Sequence, residues 1–271
     1  MNTPTPPAPD APVPRSTDVG VSRHGHVATV ELRRPPHNYF DLGMLVALAD
    51  AFEALDADAD CRAIVLCAQG TAFCAGADFS RRDPDRTTRS PRSVNPVYAE
   101  AIRLFAAAKP VVAAIEGPAV GGGLGLALVP DFRVTCAEAR FSANFNRLGF
   151  HPGFGLSVTL PRLVGPQKAA LMLYTGRRIG GEEAVSIGLA DQLVPKAAVR
   201  DSALALATEI AASAPLAVVS TRRTLRAGLV EQIRSAVAHE SFEQTLHYRT
   251  ADFREGVAAM AARRLPDFNG R

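Results

Sequence analysis

The chain holds 271 residues, enough for one large domain with a substantial core. Apolar residues make up 47% and charged residues 21%, the balance of a soluble globular protein. A formal charge of +3, with no interleaving of basic and aromatic residues, leaves no footprint for nucleic acid, and no apolar run is long enough to cross a membrane.

Residues 1–16, MNTPTPPAPDAPVPRS, are rich in proline and lack the apolar stretch of a secretory signal, which predicts a disordered tail. VATVEL (27–32) alternates as a strand does, and Pro35 and Pro36 end it. Over residues 41–55, Leu42, Leu45, Leu48, Ala49 and Phe52 fall on one helical face. CRAIVLCA (61–68) predicts a buried strand, and the turn QGTAFCAGAD follows it. Residues 80–96 are polar and basic without apolar periodicity, which predicts a mobile loop. A helix over 98–108 is expected to stop at Lys109-Pro110, and 111–117 reads as a second buried strand. AVGGG then leads into LGLALV, which fits a short helix buried on all sides. Residues 132–137 and the short ARFSA predict further strands. From Gly165 onward the pattern is helical, over 166–174, 181–187, 197–212, 216–227, 230–248 and 252–264. The expected organisation is a tail (1–16), an α/β core (17–200) and a helical C-terminal region (201–271). Cys61, Cys67, Cys74 and Cys136 form no C-x-x-C pair and have no metal-ligand spacing with histidine. They read as buried, reduced thiols, which suits a cytoplasmic protein without a metal site.

Two turns carry the chemistry. FCAGAD (73–78) and AVGGGLGLA (119–127) each follow a buried strand. Glycine lets a backbone approach a ligand closely. The second turn opens a helix, whose first N–H groups have no partner inside it. Aimed at a developing oxyanion, such groups are preorganised donors. Close helix–strand packing without any ligand accounts for the glycines equally well. No G-x-G-x-x-G, P-loop lysine or G-x-S-x-G elbow is present.

At these residues the sequence resembles the crotonase (enoyl-CoA hydratase/isomerase) superfamily. RAIVLCAQGTAFCAGAD (62–78) and KPVVAAIEGPAVGGGLGLAL (109–128) resemble its two signatures. LPRLVG (160–165), TGRRIGGEEAVSIGLADQLVP (175–195) and EGVAAMAARRLPDFNGR (255–271) continue the match in order. The resemblance implies an α/β fold, a spiral of ββα units with a C-terminal helical region that mediates homotrimers, often paired as hexamers. It implies coenzyme A as part of the substrate, an acyl-CoA thioester, and no permanently bound cofactor. Ala77 and Gly122 are the implied donors of N–H groups to the thioester oxygen. Ala75, Gly76, Asp78, Gly121 and Gly123 stand in the implied binding turns, Ala75 where the family holds the adenine end. Arg81, Arg82, Arg86, Arg89 and Arg92, and Arg263 and Arg264 in the tail, either meet the nucleotide phosphates or are solvated.

The chain departs from the pattern where the chemistry is decided. Hydratases of this family carry a glutamate after G-G-G-x and another after an F-G-Q-P-like segment; here those positions are Gly125 and Phe145. A positioned acid–base group contributes on the order of 10²–10⁴-fold. A dehalogenase branch and the dienoyl isomerases need an aspartate where Gly153 stands. Among the remaining residues, Asn144 and Asn146 could orient water or substrate. His151 is the candidate general acid–base, because imidazole titrates in the useful range, with a structural histidine as the alternative. Phe145 and Phe150 suit a hydrophobic or aromatic acyl group or a plain core. Glu116 is either a substitute carboxylate or a turn cap. Asp78 and Asp131 read as turn and helix-end partners, and Cys74 as a packing residue. The expectation is an enzyme that stabilises a thioester enolate. A non-catalytic acyl-CoA binding protein and a carbon–carbon hydrolase acting on a diketone are the alternatives.

Overall fold

A computed structural model describes residues 17–78 and 95–271. The tail 1–16 and the arginines of 81–92 lie outside the described residues.

The chain winds as a spiral in which successive turns lay one strand in a large sheet and a short stretch in a second one. Strands β1 (Val19–His24) and β2 (Val27–Leu32) form an antiparallel hairpin. Parallel to β2 run β3 (Ala63–Ala68), β4 (Val111–Ile115), β6 (Phe132–Thr135) and β9 (Gln192–Leu193), in the order β1-β2-β3-β4-β6-β9. All residues of β3 and β4 are buried, as expected of parallel strands covered on both faces. The second sheet contains β5 (Ala119–Val120), β7 (Arg140–Ser142) and β8 (Arg178–Gly180). Two single-residue bridges extend it, Cys74 to Ala119 and Phe40 to Ala77, both parallel. Each turn of the spiral therefore adds a rung to both sheets.

Helix α1 (Leu42–Ala57) starts where Asp41 accepts the Met44 N–H at 3.0 Å, an N-cap that satisfies one orphan donor. Helix α2 (Pro96–Phe105) has Asn95 as its cap and proline in its first turn, so the end of the segment expected to be loop is helical. Helix α3 (Gly122–Ala127) is short and almost wholly buried. Helix α4 (Leu156–Thr175) contains a break at Gly165 (φ 78°, ψ 162°), and its first half precedes the expected helical region. The remaining helices are α5 (Gly181–Ser186), α6 (Val199–Ala211), α7 (Pro215–Leu225), α8 (Leu229–His247) and α9 (Ala251–Ala261). The boundary expected at 200/201 falls inside α6, which packs on β3 and β4. Among the described residues, no single helix is long and apolar enough to cross a membrane.

Asp131 ties the helical region to the sheet. Its carboxylate accepts the Val111 N–H at 2.9 Å, Arg222 Nε at 2.8 Å and Arg226 Nη1 at 2.9 Å. Glu116, expected at the glycine turn, instead accepts from Arg200 Nε at 2.9 Å.

Candidate active site

The loop after β2 is fastened to the first glycine turn by its own backbone. Thr71 and Ala72 donate to the Pro36 carbonyl, at 2.9 and 3.1 Å, and Ala75 donates to His37 at 3.0 Å. The buried Asn38 side chain completes the clamp: Nδ2 donates to Gln69 O at 2.6 Å and Ala72 O at 2.8 Å, and Oδ1 accepts the Arg34 N–H at 2.9 Å. Phe40 N–H then donates to Gly76 O at 3.0 Å.

The two glycine turns meet directly. Cys74 N–H donates to Pro118 O at 3.1 Å, and Val120 N–H to Cys74 O at 3.0 Å. A methyl group on Gly76 (φ 88°) would lie 2.9 Å from Val120 O and 3.4 Å from Gly122 N, so only glycine allows this approach. One on Gly123 would collide with the Cys74 carbonyl. Ala77 and Gly122 each stand three residues beyond the bridged pair Cys74 and Ala119. Among the described residues, no acceptor takes the N–H of Ala77 or of Gly122.

Both residues line a cavity of about 1110 Å³, together with Ala75, Gly76, Asp78 and Gly121. Phe40, Phe145, Leu148, Phe150 and Phe154 form its apolar wall, and Arg34, His37 and Arg178 also border it. Phe145 and Phe150 pack edge to face with centroids 5.4 Å apart, and Phe40 and Phe154 lie 5.6 Å apart.

Gly123 and His151 are not among the lining residues. The Gly123 position serves the packing of α3 on the first turn. His151 Nδ1 donates to Pro152 O at 2.8 Å, and its backbone N–H donates to His247 Nδ1 at 3.2 Å. Its ring contacts those of His239 and His247. The structure therefore assigns His151 to a histidine cluster beside the cavity. Burial lowers the pKa of His247, and the nearby His151 lowers it further, partly opposed by Glu243.

Asn144 lines the cavity, and its Oδ1 lies 3.3 Å from where a Gly121 side chain would begin. Asn146 is turned away, with Nδ2 donating to Tyr174 O. Burial pushes the Cys74 thiol up to about 12, and Sγ donates to Asn38 O at 3.1 Å, in keeping with a packing residue. Gly125 lies beneath Phe154, and Phe145 belongs to the apolar wall. The carboxylates among the described lining residues are Asp41 and Asp78.

Sequence pattern alone did not single out Tyr98, Gln244 and Tyr248, which border the same cavity from α2 and from α8 and its end. They are brought together across 146 residues of chain, and no local motif marks them.

Residues 22–271 match the family model described as enoyl-CoA hydratase/isomerase. The chain belongs to the enoyl-CoA hydratase/isomerase family. It is similar to the 1,2-epoxyphenylacetyl-CoA isomerase of Escherichia coli, 32% identical over 250 residues, covering 90% of this chain and 95% of the relative. It is equally similar to the 2,3-dehydroadipyl-CoA hydratase of the same organism, 32% identical over 253 residues, covering 93% and 98%. A crystal structure of an enoyl-CoA hydratase/isomerase from Pseudoalteromonas atlantica superposes with a TM-score of 0.83 at 28% identity, covering 93% of this chain and all of the other. The fold is thus that of the crotonase superfamily, whose members in this family act on acyl-CoA thioesters. Relatives named for isomerisation and for hydration stand at the same identity, so membership leaves the reaction open.

Proposed function

We propose that this protein binds an acyl-CoA thioester with its carbonyl oxygen between the N–H groups of Ala77 and Gly122 and stabilises the enolate formed there. The observation that carries this reading is the pair of N–H groups, equally offset from one bridge, without an acceptor among the described residues and bordering one cavity. Fixed donors favour the state in which negative charge develops on oxygen. The four phenylalanines of the wall favour a hydrophobic or aromatic acyl group. Without a carboxylate at Gly125 or Phe145, water addition by the two-glutamate route has no base, and a proton leaving Cα passes to solvent water or to Asp41 or Asp78, the carboxylates among the described lining residues.

Assembly as a homotrimer belongs to the same reading. Helix α7 leaves Leu216 and Leu225 exposed, and Tyr174 and Leu265 are exposed elsewhere, side chains that neighbouring copies would cover. Light scattering on the purified protein measures the mass directly.

Proton NMR of phenylacetyl-CoA in D₂O tests the enolate. Exchange of the Cα protons faster than in buffer is the expected result. Tight binding with no exchange would mean a non-catalytic acyl-CoA binding protein, and no binding would overturn the thioester site.

A further inference from the structure

Gly153 makes room for a phenol. A methyl group built on it would collide with Tyr98 Oη and lie 2.5 Å from Gln244 Nε2. Tyr98 Oη donates to Gln244 Oε1 at 2.7 Å, and Tyr248 Oη donates to the same oxygen at 3.1 Å. At its other end the Gln244 amide is anchored, with Nε2 donating to the His151 carbonyl at 2.9 Å. That bond decides which way the amide faces, because only its NH₂ can donate to a carbonyl.

Each hydroxyl has one hydrogen, and here both hydrogens are directed at Gln244. Toward any other group a phenol oxygen so engaged acts as an acceptor. Tyr98 and Gln244 are nearly inaccessible to solvent, 6% and 2% exposed, yet both border the cavity. Phe40 covers Gly122 and packs on Phe154, whose chain neighbour Gly153 abuts Tyr98. The cluster is a polar part of the cavity lining, joined to the Phe40–Phe154 wall through Gly153. A hydrocarbon chain there would leave the cluster facing apolar atoms, whereas a hydroxyl would donate to it.

We infer that Tyr98, oriented by Gln244 and flanked by Tyr248, recognises a hydroxyl group on the acyl chain and sets the preference among thioesters. The inference rests on the acyl-CoA reading above. It assigns a specificity-determining cluster and leaves the thioester clamp to Ala77 and Gly122.

Calorimetric titration with two pairs of thioesters tests it: 3-hydroxybutanoyl-CoA against butanoyl-CoA, and 4-hydroxyphenylacetyl-CoA against phenylacetyl-CoA. The intact protein is expected to bind the hydroxylated member of at least one pair about tenfold more tightly. In Tyr98→Phe that ratio falls to about one while the unsubstituted thioester binds as before, and Gln244→Met lowers the ratio too. A purely structural role would weaken both members of a pair alike. Equal binding within both pairs, or a preference that survives in both variants, overturns the inference alone. Failure of all four thioesters to bind overturns the thioester site and this inference with it.

Discussion

Phe154 occupies the space that a side chain on Gly125 would need. A methyl group there would lie 2.6 Å from Phe154 Cβ and 2.8 Å from its ring. Phe154 itself is held at φ 63°, next to Gly155 at φ 74°, a left-handed conformation that costs a non-glycine residue about 1–2 kcal/mol. The backbone thus carries some strain to keep an aromatic ring against Gly125. Gly125→Glu is therefore expected to lower stability by about 1–3 kcal/mol through overpacking and to leave crotonyl-CoA unhydrated. Adding Phe154→Ala should recover part of the loss, because the two positions share one volume. Urea unfolding and the enoyl absorbance measure the two effects.

Ala77→Pro removes one N–H that no acceptor takes among the described residues. Loss of one oxyanion donor typically lowers the rate by 10²–10³-fold. The rate of Cα proton exchange should fall by about that factor, while the affinity for free coenzyme A, which has no acyl carbonyl, changes little.

His151→Ala should leave proton exchange within about twofold of the native rate, since the ring is hydrogen-bonded outside the lining of the cavity. A drop of two orders of magnitude would return His151 to the role of acid–base.

Glu240 is buried and caps α4, accepting the Gly155 N–H at 2.8 Å, the Ser157 N–H at 3.0 Å and Ser157 Oγ at 2.6 Å. Burial raises its pKa, and these hydrogen bonds only partly oppose the rise. The folded state then binds a proton more tightly than the unfolded state does. Stability from this group is fullest below the unfolded carboxylate value. It declines as the pH rises from there through the raised folded value. Glu240→Gln should remove that slope from the curve of stability against pH. The variant should also be weaker by about 1–3 kcal/mol at low pH, because its NH₂ cannot accept the bond that one carboxylate oxygen takes now. Chemical denaturation at several pH values checks both.

Much of the fold was legible because its strands and helices obey simple periods. The run 63–68 is apolar throughout, and Asp41 signals the start of α1. The first half of α4 was missed because Pro161 and Gly165 interrupt its pattern, and β8 and β9 are too short to show any alternation. The glycine turns stood out because a backbone that approaches another so closely tolerates no side chain. Tyr98 and Gln244 were silent because a tyrosine on one helix and a glutamine on another acquire meaning only when tertiary packing joins them. His151 shows the converse: it is near the site in sequence, yet it lies outside the cavity lining with its ring against those of His239 and His247.

The bridge between Cys74 and Ala119 also bears on how this scaffold can diversify. The relative placement of the two donors is set by a rung between neighbouring coils, with strands about 4.8 Å apart. It does not depend on the segments that close over the acyl group. The stretch from Asn144 to Gly155 and the helices bearing Tyr98 and Gln244 can therefore be rewritten, by drift or by directed evolution, while the proposed clamp of Ala77 and Gly122 stays in register. New acyl specificities should arise at those surfaces first, and libraries aimed there have the best chance of yielding altered substrates in a protein that still folds.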